Sequence, residues 1–227
     1  AKGLAYGPDN TVWFGAYGFF HKFDGKEWTN YTCPASNFGR LYYKRFAFDS
    51  NGTMWVAGKD QQKNATFGEF DPVKGEQTPV ACDFADDGVN SMFVDANDNV
   101  WIGTDTKGFY KYDGSTFVNY NKDSEANIDV TIKTSATVGL CQAANGDIYY
   151  AFNKSLVSFS GDYMVVAGTV TNEDHPRDLI TCLLPYGEYI FIGTEQTGVH
   201  CYNTTTGEIT QLADGTPVVS AISNYKV

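Results

Sequence analysis

Residues 100–120 read VWIGTDTKGFYKYDGSTFVNY, three short strands in succession. Val100 to Thr104 is apolar and led by Trp101, Gly108 to Tyr112 is aromatic, and Thr116 to Tyr120 alternates in the period-2 manner of a half-buried strand. Thr106-Lys107-Gly108 lets the chain turn, and Asp113-Gly114 is a pair that tolerates the positive φ of a tight hairpin. Upstream, Val89 to Asp95 (VNSMFVD) supplies a first strand, joined to the Trp strand through Asn97-Asp98-Asn99. The unit is a four-stranded antiparallel meander.

The pattern recurs along the chain around Trp13, Trp55, Trp101, Tyr149 and Phe191, spaced by 42, 46, 48 and 42 residues. Four strands in forty-odd residues is the period of a propeller blade. Turn residues precede each anchor: Pro8-Asp9-Asn10, Asn51-Gly52, Asn97-Asp98-Asn99, Asn145-Gly146 and Tyr186-Gly187. A hairpin glycine follows each: Gly25, Gly75, Gly114, Gly161 and Gly207. The expected fold is all-β, a β-propeller with blades at about 2–33, 41–82, 89–121, 137–168 and 179–212. Residues 217–227, PVVSAISNYKV, resemble the first strand of a possible sixth. Repeat one already has its own first strand, so this segment is expected to belong to a longer propeller, to close the array, or to complete a blade in a neighbouring molecule. The sequence starts at Ala1 with neither an initiator Met nor a signal peptide, as in a processed chain or part of a longer one.

Composition agrees. Of 227 residues 15% are aromatic and only 19% charged, with 23 glycines, and no apolar run approaches the length of a membrane span. A net charge of −11 argues against nucleic-acid backbones and anionic membrane surfaces as partners. Of the five cysteines, none forms a CxxC pair or a zinc-binding cluster, so neither a metal site nor a cofactor is expected. Cys33 and Cys82 lie at comparable places past the fourth strands of repeats one and two. Cys141 and Cys182 lie in the first strands of repeats four and five, so each pair is a disulfide candidate alongside simple core packing.

Candidate binding residues come from the polar links. The loop Asp83 to Gly88 (DFADDG) contributes Asp86 and Asp87, and the loop Thr171 to Asp178 (TNEDHPRD) contributes His175 and Arg177. The loop from Lys59 to Thr66 is longer than its counterparts, and loops on a rigid scaffold are where binding residues sit. Asp95-Ala-Asn97-Asp98-Asn99 has the start of a calcium loop without its glycine and distal Glu, so it is read as a hairpin turn. His21, Tyr110 and His200 share one strand position, which predicts packing between blades. Five N-x-[S/T] sequons, at Asn30, Asn51, Asn64, Asn153 and Asn203, are glycosylation candidates; the last three except Asn153, together with Asn51, fall in turns or loops.

The unit WIGTDTKGFYKYDGSTFVNY resembles the two-component regulator propeller repeat through Trp101, Ile102, Gly103, Thr104, Gly108, Tyr112 and Asp113. Repeat one carries the pattern at Trp13, Gly15, Gly18, Phe23 and Asp24, and repeat five at Ile192, Gly193, Thr194, Gly198 and Tyr202. Such repeats are similar to those of periplasmic oligosaccharide sensors and to the blades of virginiamycin B lyase, whose catalytic His and Glu motif has no counterpart here. The resemblance implies the fold more than the activity. The expected function is a non-catalytic, extracytoplasmic module, secreted, periplasmic or on the cell surface, that binds a carbohydrate or a protein. The alternatives are a lyase or hydrolase acting on glycans or cyclic peptides, and a structural glycoprotein that assembles by donating the strand in residues 217–227.

Overall fold

The computed structural model describes residues 3–16, 19–32, 42–59, 65–84, 87–121, 127–128, 138–160 and 163–212. The architecture is all-β, built from five sheets of propeller-blade type whose main four strands pair antiparallel. Blade one pairs β1 (Gly3–Gly7), β2 (Thr11–Ala16), β3 (Phe19–Phe23) and β4 (Trp28–Thr32) in sequence order. Blade two repeats this with β5 (Tyr42–Phe48), β6 (Met54–Lys59), β7 (Ala65–Asp71) and β8 (Glu76–Pro79). Blade three contains β9 (Val89–Val94), β10 (Val100–Thr104), β11 (Phe109–Tyr112) and β12 (Phe117–Tyr120).

Blade four departs from the four-strand expectation. Beside β14 (Val138–Gln142), β15 (Ile148–Phe152), β16 (Ser155–Ser160) and β17 (Tyr163–Thr169) it carries β13 (Asn127–Ile128), from the polar link, paired parallel to β17. Blade five contains β18 (Ile180–Tyr186), β19 (Tyr189–Thr194), β20 (Val199–Asn203) and β21 (Ile209–Gln211). By its internal contacts the chain divides into two compact units, residues 1–124 with 132–140 and residues 125–131 with 141–227.

Local chemistry sets the turns. In every blade the first hairpin holds a left-handed residue, at Asn10, Gly52, Asp98, Gly146 and Gly187. Four third-to-fourth strand hairpins are headed by an Asx side chain that accepts two backbone N–H groups: Asp24, Asp71, Asp113 and Asn203. At Gly108 the requirement is stricter. Its φ is +77°, and a Cβ there would run into the Tyr120 carbonyl oxygen.

The tryptophan anchors are fixed by the same hairpins. The indole N–H donates to Thr11 Oγ1 from Trp13 at 3.0 Å, to Asp49 Oδ2 from Trp55 at 3.2 Å and to Asp95 Oδ2 from Trp101 at 2.8 Å. Asp95 also accepts from the Asn97 and Asn99 amides, which makes the D-x-N-x-N stretch a turn, as its register implies. Burial opposes ionisation of Asp95, but hydrogen bonds from Trp101 and Asn99 outweigh it and hold the carboxyl below the usual carboxylate range.

The core lies between blades. In the first unit the anchor side of blade one (Trp13, Phe20, Tyr31) packs on Phe46, Met54, Val56 and Phe70 of blade two. The anchor side of blade two (Trp55, Ala57, Phe67) packs in turn on Val100, Ile102, Tyr110 and Tyr112 of blade three. In the second unit Tyr149, Ala151 and Leu156 of blade four meet Ile180, Ile190, Ile192 and Tyr202 of blade five. Each seam joins two faces of different kind. An anchor face, carrying the Trp, Tyr or Phe, meets a receiving face made by the residues flanking the next anchor.

Candidate functional site

Two loops are held by one device. Asp87 lies just before β9, is 6% exposed, and accepts hydrogen bonds from the amides of Gly88 (2.9 Å), Thr106 (2.8 Å) and Lys107 (2.9 Å) and from the Thr106 hydroxyl (3.2 Å). Asp178 stands at the same place before β18, is 2% exposed, and accepts from the amides of Gln196 (2.8 Å) and Thr197 (3.0 Å) and from the Thr197 hydroxyl. In both blades the threonine ending the W/F-I-G-T strand completes the clasp. The Thr104 hydroxyl donates to the Gly108 carbonyl at 2.8 Å, and that of Thr194 to the Gly198 carbonyl at 3.1 Å. Burial alone would raise both aspartates, but the converging donors prevail: Asp87 lies below the usual carboxylate range and Asp178 falls to about 2. Asp87 therefore faces its own chain rather than solvent, and Asp86 lies outside the described residues.

The clasp at Asp178 shapes the loop ahead of it. Asn172 Oδ1 accepts from the amides of Asp174 (2.9 Å) and His175 (3.1 Å), and the Asp178 amide donates to the His175 carbonyl at 3.1 Å. His175 Nδ1 lies 2.7 Å from Gln196 Oε1, a side chain of the clasped β19–β20 loop. Glu173, Asp174, His175 and Arg177 are exposed. The structure thus brings His175 and Gln196 together, with Arg177 two residues along on the same tethered loop.

Behind this loop His200 is 2% exposed, its Nε2 2.8 Å from Thr197 Oγ1. Burial lowers its pKa despite the Asp178 charge. The clasps are not evident from the acidic composition of the links, whereas the burial of His200 agrees with its strand position. The available signal was an Asp two residues ahead of a first strand, paired with a later G-T-x-x-x-G.

The third histidine lies elsewhere. His21 Nδ1 is 2.6 Å from Asn30 Oδ1 and, with Phe14 and Trp28, lines an open cleft of ≈ 330 Å³ on blade one. Trp28 stacks on Phe23 at 4.8 Å and stands 5.4 Å from Phe14. Packing between blades, expected from the shared strand position, holds for Tyr110 and His200. His21 is half-buried beside this open cleft.

Asn51 is exposed in a turn, and so is Asn153, whose φ of +54° places it in a tight hairpin between β15 and β16 rather than in a strand. Asn30 is exposed on β4, while Asn203 is half-buried with its Oδ1 taken by Thr205 and Thr206. Asn64 lies outside the described residues, as do Cys33, most of the loop from Lys59 to Thr66, and residues 217–227. Cys82, Cys141, Cys182 and Cys201 are free thiols, with burial pushing Cys141 up to about 12. Among the described residues no group of three or more His, Cys, Asp or Glu could hold a metal ion, and no helix is long and apolar enough to cross a membrane.

Residues 83–106 match the two component regulator propeller family. No curated protein matches the sequence. Among solved structures the chain is similar to a streptogramin B lyase, with 15% identity, a TM-score of 0.67, and coverage of 95% of this chain and 69% of the lyase. It is similar at 15% identity and a TM-score of 0.60 to the extracellular domain of a putative hybrid two component system from B. thetaiotaomicron, covering 88% of this chain and 26% of that one. A catalytically inactive virginiamycin B lyase from Staphylococcus aureus, with quinupristin, aligns at 12% identity and a TM-score of 0.64, covering 87% of this chain and 64% of that one. At these identities the likeness is one of fold.

Proposed function

We propose that the protein is a non-catalytic, extracytoplasmic propeller module that binds a carbohydrate or protein ligand through its loops, with the His175–Gln196–Arg177 rim as the contact. The observation that carries this reading is the pair of buried clasps. By fixing the loop backbones before any ligand arrives, they reduce the entropy lost when exposed side chains engage one. The histidines support binding over catalysis: His21 faces the Asn30 amide, His175 the Gln196 amide, and His200 a buried threonine hydroxyl. Among the described residues none is oriented by a carboxylate toward an accessible nucleophile, the arrangement that acyl or glycosyl transfer requires.

An imidazole, an amide and a guanidinium together suit the hydroxyls and carboxylate of an acidic sugar, since the guanidinium fork matches a carboxylate. Similarity to the extracellular domain of a putative hybrid two component system supports the extracytoplasmic placement, and the exposed sequons Asn51 and Asn153 are where a glycan could be carried in a eukaryotic secretory pathway. Calorimetric titration with neutral and uronic-acid oligosaccharides tests the reading. Binding weakened at least tenfold by Arg177→Ala or His175→Ala, with unchanged thermal unfolding, is expected. Turnover of a glycan or cyclic peptide that disappears in His175→Ala would replace it with the lyase or hydrolase reading.

A further inference from the structure

The two clasps differ in what stands behind them. In blade three the hydroxyl that serves Asp87 belongs to Thr106, whereas in blade five the one that serves Asp178 belongs to Thr197, one place further along the loop. That shift brings Thr197 Oγ1 to 2.8 Å from Nε2 of His200. His200 pairs with Ile192 and Tyr110 with Ile102, so the two occupy one register position. One clasp is therefore backed by an imidazole and the other by a phenol. Of the two, only the imidazole ordinarily titrates between about pH 5 and pH 8.

The surrounding network fixes where the protons lie. Thr197 Oγ1 donates to Asp178 Oδ2 and Thr194 Oγ1 to the Gly198 carbonyl, so His200 donates through Nε2 and Nδ1 is the atom that takes up a second proton. Protonation would place a full charge at a position only 2% exposed. Burial opposes that charge, and the Asp178 carboxylate offsets the penalty only in part. Blade four contributes to this seam the apolar Ala151 and Leu156 together with Cys141 and Tyr149, both pushed up to about 12 by burial and so neutral here. The other charged or titratable groups of the adjoining loops, Lys154, Glu173, Asp174, His175, Arg177 and Glu195, are exposed.

We propose that the Asp178 clasp is an acid-sensitive latch: a proton taken up by His200 loosens the β19–β20 loop and the link ahead of β18, while the Asp87 clasp stays shut. An opened loop exposes His200 to water, where it binds a proton at its ordinary 6.5, and the closed form binds one only at lower pH. The closed form is therefore fully favoured above about pH 6.5 and loses ground as pH falls below it. Asp178 is ionised in both forms down to about pH 4 and adds no slope in this range. Gln196, which meets His175, rides on the latched loop, so the rim is expected to hold its ligand at neutral pH and to release it in acid. That consequence rests on the ligand reading above, whereas the latch itself does not.

Amide hydrogen exchange on the 227-residue chain, with rates corrected for the intrinsic effect of pH, tests the latch. Between about pH 7.5 and pH 5.5 the protection of the Gln196 and Thr197 amides, which donate to Asp178, is expected to fall by up to about tenfold, the limit set by an ordinary pKa of 6.5. The Thr106 and Lys107 amides, which donate to Asp87, are the reference inside the same molecule and are expected to keep their protection. His200→Gln keeps a neutral donor, and His200→Tyr gives blade five the residue type of Tyr110. In whichever of the two folds, the fall is expected to vanish.

Unchanged protection at Gln196 and Thr197 in the wild type would overturn the proposal. So would an equal fall at both clasps, or a fall that persists in the folded His200 variants. A failure of every oligosaccharide to bind would remove the ligand reading and leave the exchange result, and with it the latch, standing.

Discussion

Blades one and three place corresponding residues in opposite circumstances. Phe14, His21, Trp28 and Asn30 of blade one occupy the register positions of Ile102, Tyr110, Phe117 and Asn119 of blade three. In blade three Ile102 and Tyr110 are 0% and 3% exposed, and Phe117 packs on Phe67 of blade two. In blade one Trp28 is 57% exposed and His21 lines an open cleft. Burial at these positions is thus a property of the neighbouring blade and not of the residue.

The sharpest way to break the comparison is to truncate both faces and compare the losses. Ile102→Ala leaves a cavity inside a seam and is expected to cost about 3 kcal/mol, whereas Phe14→Ala is expected to cost under about 1.5 kcal/mol. Urea unfolding of the two variants measures the difference, and equal losses would mean that blade one's face is covered in solution.

A second comparison, between the clasps, predicts a loss of about 2 kcal/mol for Asp178→Asn, since one carboxylate oxygen that accepts from the chain becomes an amide donor. Asp178 titrates near 2 when folded against an ordinary 3.8, so its contribution is present above about pH 4 and fades as pH falls toward 2. Unfolding midpoints between pH 5 and pH 2 are expected to fall more steeply for the wild type than for Asp178→Asn.

His200 should contribute a smaller slope at higher pH. Its folded pKa lies below the ordinary 6.5, so the unfolded chain binds the extra proton and stability is lost as pH falls below about 6.5. A melting temperature lower at pH 5.5 than at pH 7, with the slope absent in His200→Gln, is the expected result. Smallest of all, Trp28→Ala is expected to change stability by about 0.5 kcal/mol or less.

The blades were legible because their signals are local. Anchors forty-odd residues apart, and Asp-Gly or Asx-headed turns, impose backbone shape within a few residues of themselves. The clasps were not, because Asp87 meets Thr106 and Lys107 across 19 and 20 residues of intervening strand. In sequence Asp87 is simply the last acid of DFADDG, which reads as a solvated loop. The parallel pairing of Asn127–Ile128 with β17 likewise joins segments with no shared pattern. His21 shares the strand position of Tyr110 and His200 but is only half-buried, and a register position alone does not say what lies over a residue.

The tryptophans divide along the same line, three anchors and one outlier. Trp13, Trp55 and Trp101 are at most 7% exposed, with indole N–H groups tied to hairpin side chains, whereas Trp28 faces water. A soluble quencher such as acrylamide should therefore extinguish a red-shifted fraction of the emission that comes from Trp28 alone. The chain carries its own optical probe of blade one's outer surface, one that dims or brightens with what that surface touches while the three anchors supply a constant internal reference.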